Sequence, residues 1–101
     1  MEVALAAVSG RWTTLILREL MHGPRSFGQL RVALPTLSAK VLSERLTKLV
    51  RHDLVECRRQ KGFPSQVVYR LTTAGQLLRP LLIELYRTGD ALLRQSRRLP
   101  D

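Results

Sequence analysis

The sequence predicts an α+β fold, mainly helical, in one small domain. Three observations carry that reading. Two short helical patterns are separated only by Pro35-Thr36-Leu37. The apolar period then changes from helical to alternating between Leu54 and Leu71, with a Gly/Pro turn in the middle. A leucine-rich helical pattern follows from Ala74. The 101 residues suit a single domain with a modest core, which makes association between chains a natural source of extra stability.

Taken in order, Val3 to Val8 reads as a short apolar helix broken by Ser9-Gly10. Arg11 to Leu20 places apolar side chains at 12, 15, 16 and 20, a helix with one buried face, and His22-Gly23-Pro24 stops it. Ser26 is an N-cap for a helix of about two turns whose face is Phe27, Leu30 and Leu34, ended by Pro35. Ser38 caps the next helix, which runs to about His52. These two helices, 26–52, form a helix-turn-helix. From 54 to 71 the alternation predicts a hairpin turning at Gly62 and Pro64. Val55 and Cys57 are expected to face inward, with Val67, Tyr69 and Leu71 on one face of the return strand. Helix, helix, hairpin is the order of a winged helix. Thr73 is the expected cap of a last helix from Ala74 to about Arg94. Pro80 falls inside it and predicts either a bend or two abutting pieces.

Lys plus Arg number 17 and Asp plus Glu 8, a formal net charge of +9. Such a domain favours a polyanion, nucleic acid first and an anionic membrane surface second. At ~100° per residue, Leu42, Leu46 and Leu49 share the buried face of the second helix of the pair. The opposite face collects Lys40, Ser43, Glu44, Thr47 and Arg51, with Lys48 at its edge. The N-terminal half of such a helix meets base edges in the major groove. Lys40 can donate to guanine or phosphate, Ser43 and Thr47 can serve either way, and Glu44 can accept from the cytosine amino group. Arg58, Arg59 and Lys61 put three cations at the hairpin tip, suited to backbone phosphates or a minor groove. Arg25 and Ser26 add a cation and an open helix N-terminus. From Lys40 to Lys61 seven cations face Glu44, Asp53 and Glu56.

Other classes find less support. The two histidines lie near helix ends and the carboxylates are scattered, so no enzyme active site, metal cluster or cofactor loop is expected. Trp12, Phe27, Tyr69 and Tyr86 could line a small-molecule effector pocket or simply be core. The single cysteine, Cys57, forms no intrachain disulfide and reads as a small core residue. No apolar run approaches the ~18 residues that span a bilayer, and the N-terminus lacks the basic start of a signal peptide. The expected setting is cytoplasmic, with no membrane. The rival to DNA binding is a winged helix that binds protein without reading sequence.

The stretches "GRWTTLILREL", "GPRSFGQLRVALPTLSAKVLSERLTKLVRHDLV" and "VVYRLTTAGQLLRPLL" resemble the HxlR-type transcription regulators, winged-helix relatives of the MarR group. The resemblance covers Gly10 to Leu82 in the family's order. It implies a homodimer formed through the first and last helices, bound to a pseudo-palindromic operator on double-stranded DNA. It also implies Ser38, Lys40, Ser43, Glu44 and Arg45 on or beside the reading surface. The expected dimer helices are 1–9 and 74–95, with Val3, Leu5, Val8, Leu78, Leu81, Leu82, Leu85 and Leu92 at the contact. Many members carry a cysteine just before the first helix; this sequence has Met1-Glu2 there.

Overall fold

The structure is a computed structural model that describes residues 2–10, 12–62 and 66–98, with the side chains of 97 and 98 left aside. The chain runs α1 (Glu2–Val8), α2 (Thr13–Met21), β1 (Arg25–Ser26), α3 (Phe27–Ala33), α4 (Ala39–Arg51), β2 (Val55–Gln60), β3 (Gln66–Leu71), α5 (Thr73–Gln76) and α6 (Arg79–Arg98). It is a mainly helical winged helix. The hairpin β2–β3 is present, and its turn residue Pro64 lies outside the described residues.

The helices sit where their caps place them. Ser26 Oγ accepts from Gln29 N while Gln29 Oε1 accepts from Ser26 N, a reciprocal cap on α3. Ser38 Oγ accepts from Val41 N at 3.1 Å and starts α4. One core gathers Ile16, Leu17 and Leu20 of α2, Leu30 and Leu34, Leu42, Leu46 and Leu49 of α4, Val55, Leu71, Leu78 and Leu82. In α2 the buried stripe is Thr13, Ile16, Leu17 and Leu20, one step round from the expected one; Trp12 and Leu15 are half-buried. Trp12 is the N-cap, at φ 77°, so its ring is not yet on the helix's own period. The sheet has three strands in the order β1-β3-β2, all antiparallel. Arg25 and Ser26 pair with Tyr69 and Val68. Two residues are too few to show alternation, so this strand is invisible in the sequence.

The end of α4 is closed by backbone alone. Leu54 N donates to Leu49 O and Asp53 N to Val50 O, a Schellman closure with Asp53 at φ 60°. The start of α5 docks onto this corner. Thr72 N donates to Leu54 O, and Thr72 Oγ1 donates to Asp53 O at 2.6 Å while accepting from Gly75 N. The cap is thus Thr72, one residue before the expected Thr73. A Cβ on Gly75 would lie 2.2 Å from Leu54 O, so only glycine permits this approach.

The last helical pattern is two pieces, broken at Leu77 and Leu78. Pro80 is the second residue of α6, where the backbone N–H has no partner within the helix to lose. Two of the expected contact leucines lie inward. Leu78 and Leu82 are 8% and 4% exposed and belong to the protomer's own core, because the first turns of α6 lie against α2. Leu81 is half-buried. Leu85 and Leu92 remain 43% and 65% exposed, and Val3 and Leu5 of α1 are exposed too. Val8 packs on the core edge.

Two substitutions check this corner. Gly75→Ala should lower unfolding stability by about 1–3 kcal/mol in urea denaturation, since the methyl meets main chain that cannot move aside. Asp53→Gly should raise it by about 0.5–1 kcal/mol, relieving a left-handed residue and removing an anion from a helix C-terminus. Unchanged midpoints would contradict the close packing.

Candidate nucleic-acid interface

The buried leucines of α4 fix its outward face. Lys40, Ser43, Glu44, Thr47, Lys48 and Arg51 are all exposed on it. Ser43, Glu44, Thr47, Lys48, Arg51 and His52 line one shallow groove along the helix. The first turn holds no acid to balance the helix's positive end. Thr47 Oγ1 donates to the Ser43 carbonyl at 2.8 Å, the back-bond that a helical threonine can make. Arg45 is different. It is half-buried, and its guanidinium carbon would lie 3.6 Å from a Cβ on Gly10, so it leans on the loop between α1 and α2 rather than standing on the exposed face.

The strand register sorts the hairpin cations. Val55, Cys57 and Arg59 oppose Leu71, Tyr69 and Val67 on one face, while Glu56, Arg58 and Gln60 oppose Arg70, Val68 and Gln66 on the other. Cys57 and Tyr69 share a small cavity of about 180 Å³ with Thr47 and Val50 of α4, so the first face is the one turned toward α4. Arg59 therefore projects on the α4 side. Arg58 points away and is held by Glu56 at 3.2 Å; the same carboxylate binds Arg70. Arg59 and Lys61 are exposed and make no ion pair among the described residues. The expected cluster of three is thus two open cations and one tethered.

Cys57 is exposed, which corrects its expected place in the core. The alternation is right but the body ends first: Val55 is the last buried residue of β2. Tyr69 beside it titrates above the ordinary phenol value, through burial first and the neighbouring Cys57 second. The expected phosphate site at Arg25 and Ser26 is partly spoken for. The cap uses the N–H groups of Ser26 and Gln29, and Arg25 Nη1 donates to Pro24 O at 3.0 Å. Ser38 keeps its hydroxyl proton free to donate, since its oxygen serves as acceptor in the cap.

Trp12, Phe27 and Tyr69 pack against the core. Tyr86 instead lies on an open groove of about 360 Å³ between α2 and α6, with Arg18 over its ring at 5.7 Å and Met21, Arg79 and Ile83 nearby. Its neighbourhood follows from how α6 crosses α2, which spacing alone does not reveal. Among the described residues no group of His, Cys, Asp or Glu could hold a metal ion, and no helix is long and apolar enough to cross a membrane.

With α4, its groove and the adjoining wing in place, comparison with known proteins is informative. The family model described as HxlR-like helix-turn-helix matches residues 7–97. The chain belongs to the HxlR-like helix-turn-helix family. It is 38% identical over 89 residues to an uncharacterised helix-turn-helix-type transcriptional regulator, sll1512 of Synechocystis, covering 88% of this chain and 66% of that one. It is 34% identical over 90 residues to the transcriptional regulator YodB of Bacillus subtilis, covering 89% and 80%. The reduced form of YodB superposes with a TM-score of 0.81 at 34% identity, covering 89% of this chain and 88% of that one. YodB has also been solved diamide-treated and quinone-bound. The HxlR-like proteins are DNA-binding transcription regulators rather than enzymes.

The exposure of Cys57 has a direct check. Ellman's reagent should titrate one thiol per native chain within minutes and without denaturant. A thiol that reacts only after unfolding would return Cys57 to the core.

Proposed function

We propose that this HxlR-like chain binds double-stranded DNA sequence-specifically as a homodimer on a pseudo-palindromic operator. The observation that carries the reading is the shared side of α4 and the wing. The exposed polar groups of α4 and the open cation Arg59 face one direction, so a helix in the major groove would bring the wing, with the exposed Lys61 next along it, against the flanking backbone. Lys40 and Ser38, at the start of α4, are placed for base edges or phosphate. Arg58 and Arg45 contribute less directly, one through its pairing with Glu56, the other by bracing α4 on the α1–α2 loop.

The dimer follows from what the protomer leaves uncovered. Val3 and Leu5 of α1 and Leu85, Leu92 and Leu93 of α6 are exposed. A second copy packing on this surface about a two-fold axis would bury it and set two α4 helices one turn of DNA apart, about 34–36 Å. The groove beside Tyr86 leaves room for a small-molecule effector.

Binding to duplex DNA should weaken steeply with salt if about 6 to 10 phosphates are contacted per dimer. Arg59→Ala or Lys61→Ala should reduce affinity on every sequence and flatten the salt slope, and Arg58→Ala should do so less. Affinity that is flat in salt would favour the protein-binding alternative. Leu92→Lys tests the dimer cleanly, because Leu92 stands clear of the core and the folded protomer should survive. Sedimentation should show a monomer with a normal melting transition and a collapse in operator affinity. A variant that still sediments and binds as a dimer would move the interface elsewhere.

A further inference from the structure

The hydroxyl proton of Thr47 is already committed to the Ser43 carbonyl, at 2.8 Å. What Thr47 presents outward is an oxygen with lone pairs and a methyl group, but no donor. One turn earlier on the same face stands Glu44, an exposed carboxylate and so also an acceptor, with no ion pair among the described residues. The two are three residues apart and line the same groove. Donors lie to either side along the helix: Lys40 and the Ser43 hydroxyl before them, Lys48 and Arg51 after. The reading face is thereby divided into an acceptor centre with cationic ends.

We propose that Thr47, together with Glu44, makes the middle of α4 a reader of amino-bearing base edges, the N4 amino group of cytosine or the N6 amino group of adenine. This rests on the reading of α4 as the helix that enters the major groove. Hydrogen-bond chemistry opposes the acceptor edges there. Guanine offers O6 and N7 and thymine offers O4, all acceptors, and an acceptor surface meets each of them with repulsion or an unmade hydrogen bond. Phosphate is rejected for the same reason. The back-bond gives Thr47 its selectivity: a freely rotating hydroxyl could donate to guanine as readily as it accepts from adenine, and this one is not free. Lys40, Lys48 and Arg51 remain for acceptors on the flanking bases or the backbone.

The test uses the full chain. Bound sequences are selected from a random duplex pool with wild type and with Thr47→Val, which keeps the branched shape and both methyl-sized groups but has no oxygen. Wild type should enrich cytosine or adenine at one position of each half-site, and Thr47→Val should lose that preference. Affinity is then measured on the selected site and on the same site with that one amino group deleted, purine replacing adenine or 2-pyrimidinone replacing cytosine. Deleting the amino group should weaken wild type roughly tenfold and Thr47→Val hardly at all, so that the two changes are not additive. The inference is overturned if Thr47→Val selects the same sequences as wild type, or if amino deletion costs both proteins equally. It is also overturned if the position near Thr47 enriches thymine through the methyl alone, a preference that Thr47→Val would keep. A chain that selects no sequence at all overturns the operator reading itself, a result distinct from a sequence preference indifferent to Thr47.

Discussion

The close approach of Gly75 to the Leu54 carbonyl is the contact on which the geometry of the reading surface depends. At this corner α4 ends, β2 begins, β3 has just returned and α5 starts. Thr72 joins them with a backbone donor to Leu54, a hydroxyl donor to Asp53 and an acceptor for Gly75 N. The carbonyls freed by ending α4 are taken by its own backbone at His52, Asp53 and Leu54, and the carbonyls of Asp53 and Leu54 in turn by Thr72 of the segment that leads to α6. The consequence is mechanical. The angle between α4 and the hairpin is held by hydrogen bonds gathered at one corner, between Asp53 and Leu54 on one side and Thr72 on the other. The position of α6 is referred to the same point.

From that corner the chain has two kinds of apolar surface. Leu71, Leu78 and Leu82 turn inward and complete the core. Beyond Leu82 the helix outruns the body it packs on. α6 holds 20 residues and α2 only 9, so Leu92 and Leu93 run past α2 and stand exposed among the described residues. The molecule's 58 Å long axis, against 29 and 21 Å across, expresses the same overhang. An exposed leucine taken singly needs no account. A row of them on a helix that leaves its own core is a surface built for a second apolar surface.

The same limit explains what could be read from the sequence. Capping residues were legible, because Ser26 and Ser38 act on groups two or three residues away and their chemistry is local. The inward leucines of α4 were legible because period alone decides them. The exposed part of the leucine stripe was only half legible: Leu78 and Leu92 follow one helical pattern, and nothing in that pattern says where the body stops. Cys57 failed for the same reason, since alternation gives its face but not how far the sheet is covered. The bond from Thr47 to Ser43, the tether of Arg58 on Glu56 and the lean of Arg45 toward Gly10 are choices among rotamers, and composition does not hold them. The strand at Arg25 exists only because β3 lies beside it.

Charge placement separates the surfaces by use. Elsewhere four acids pair with arginines: Glu84 with Arg87 and Asp90 with Arg94 along α6, Glu19 with Arg18, Glu56 with Arg58 and Arg70. On the outward face of α4, Lys40, Glu44 and Lys48 make no ion pair among the described residues, although Lys40 and Lys48 each stand four residues from Glu44, a spacing at which helical pairs form readily. An exposed pair of that kind contributes only about 0.3–0.5 kcal/mol, so leaving it unmade costs the fold little. A lysine in the first turn against the helix dipole costs a similar amount. A good contact to a base edge is worth about 1–3 kcal/mol of discrimination. The balance therefore favours a helix that keeps its charged groups apart and open, each able to meet a different group on a partner that carries the complementary negative charge and the hydrogen-bonding edges this face lacks.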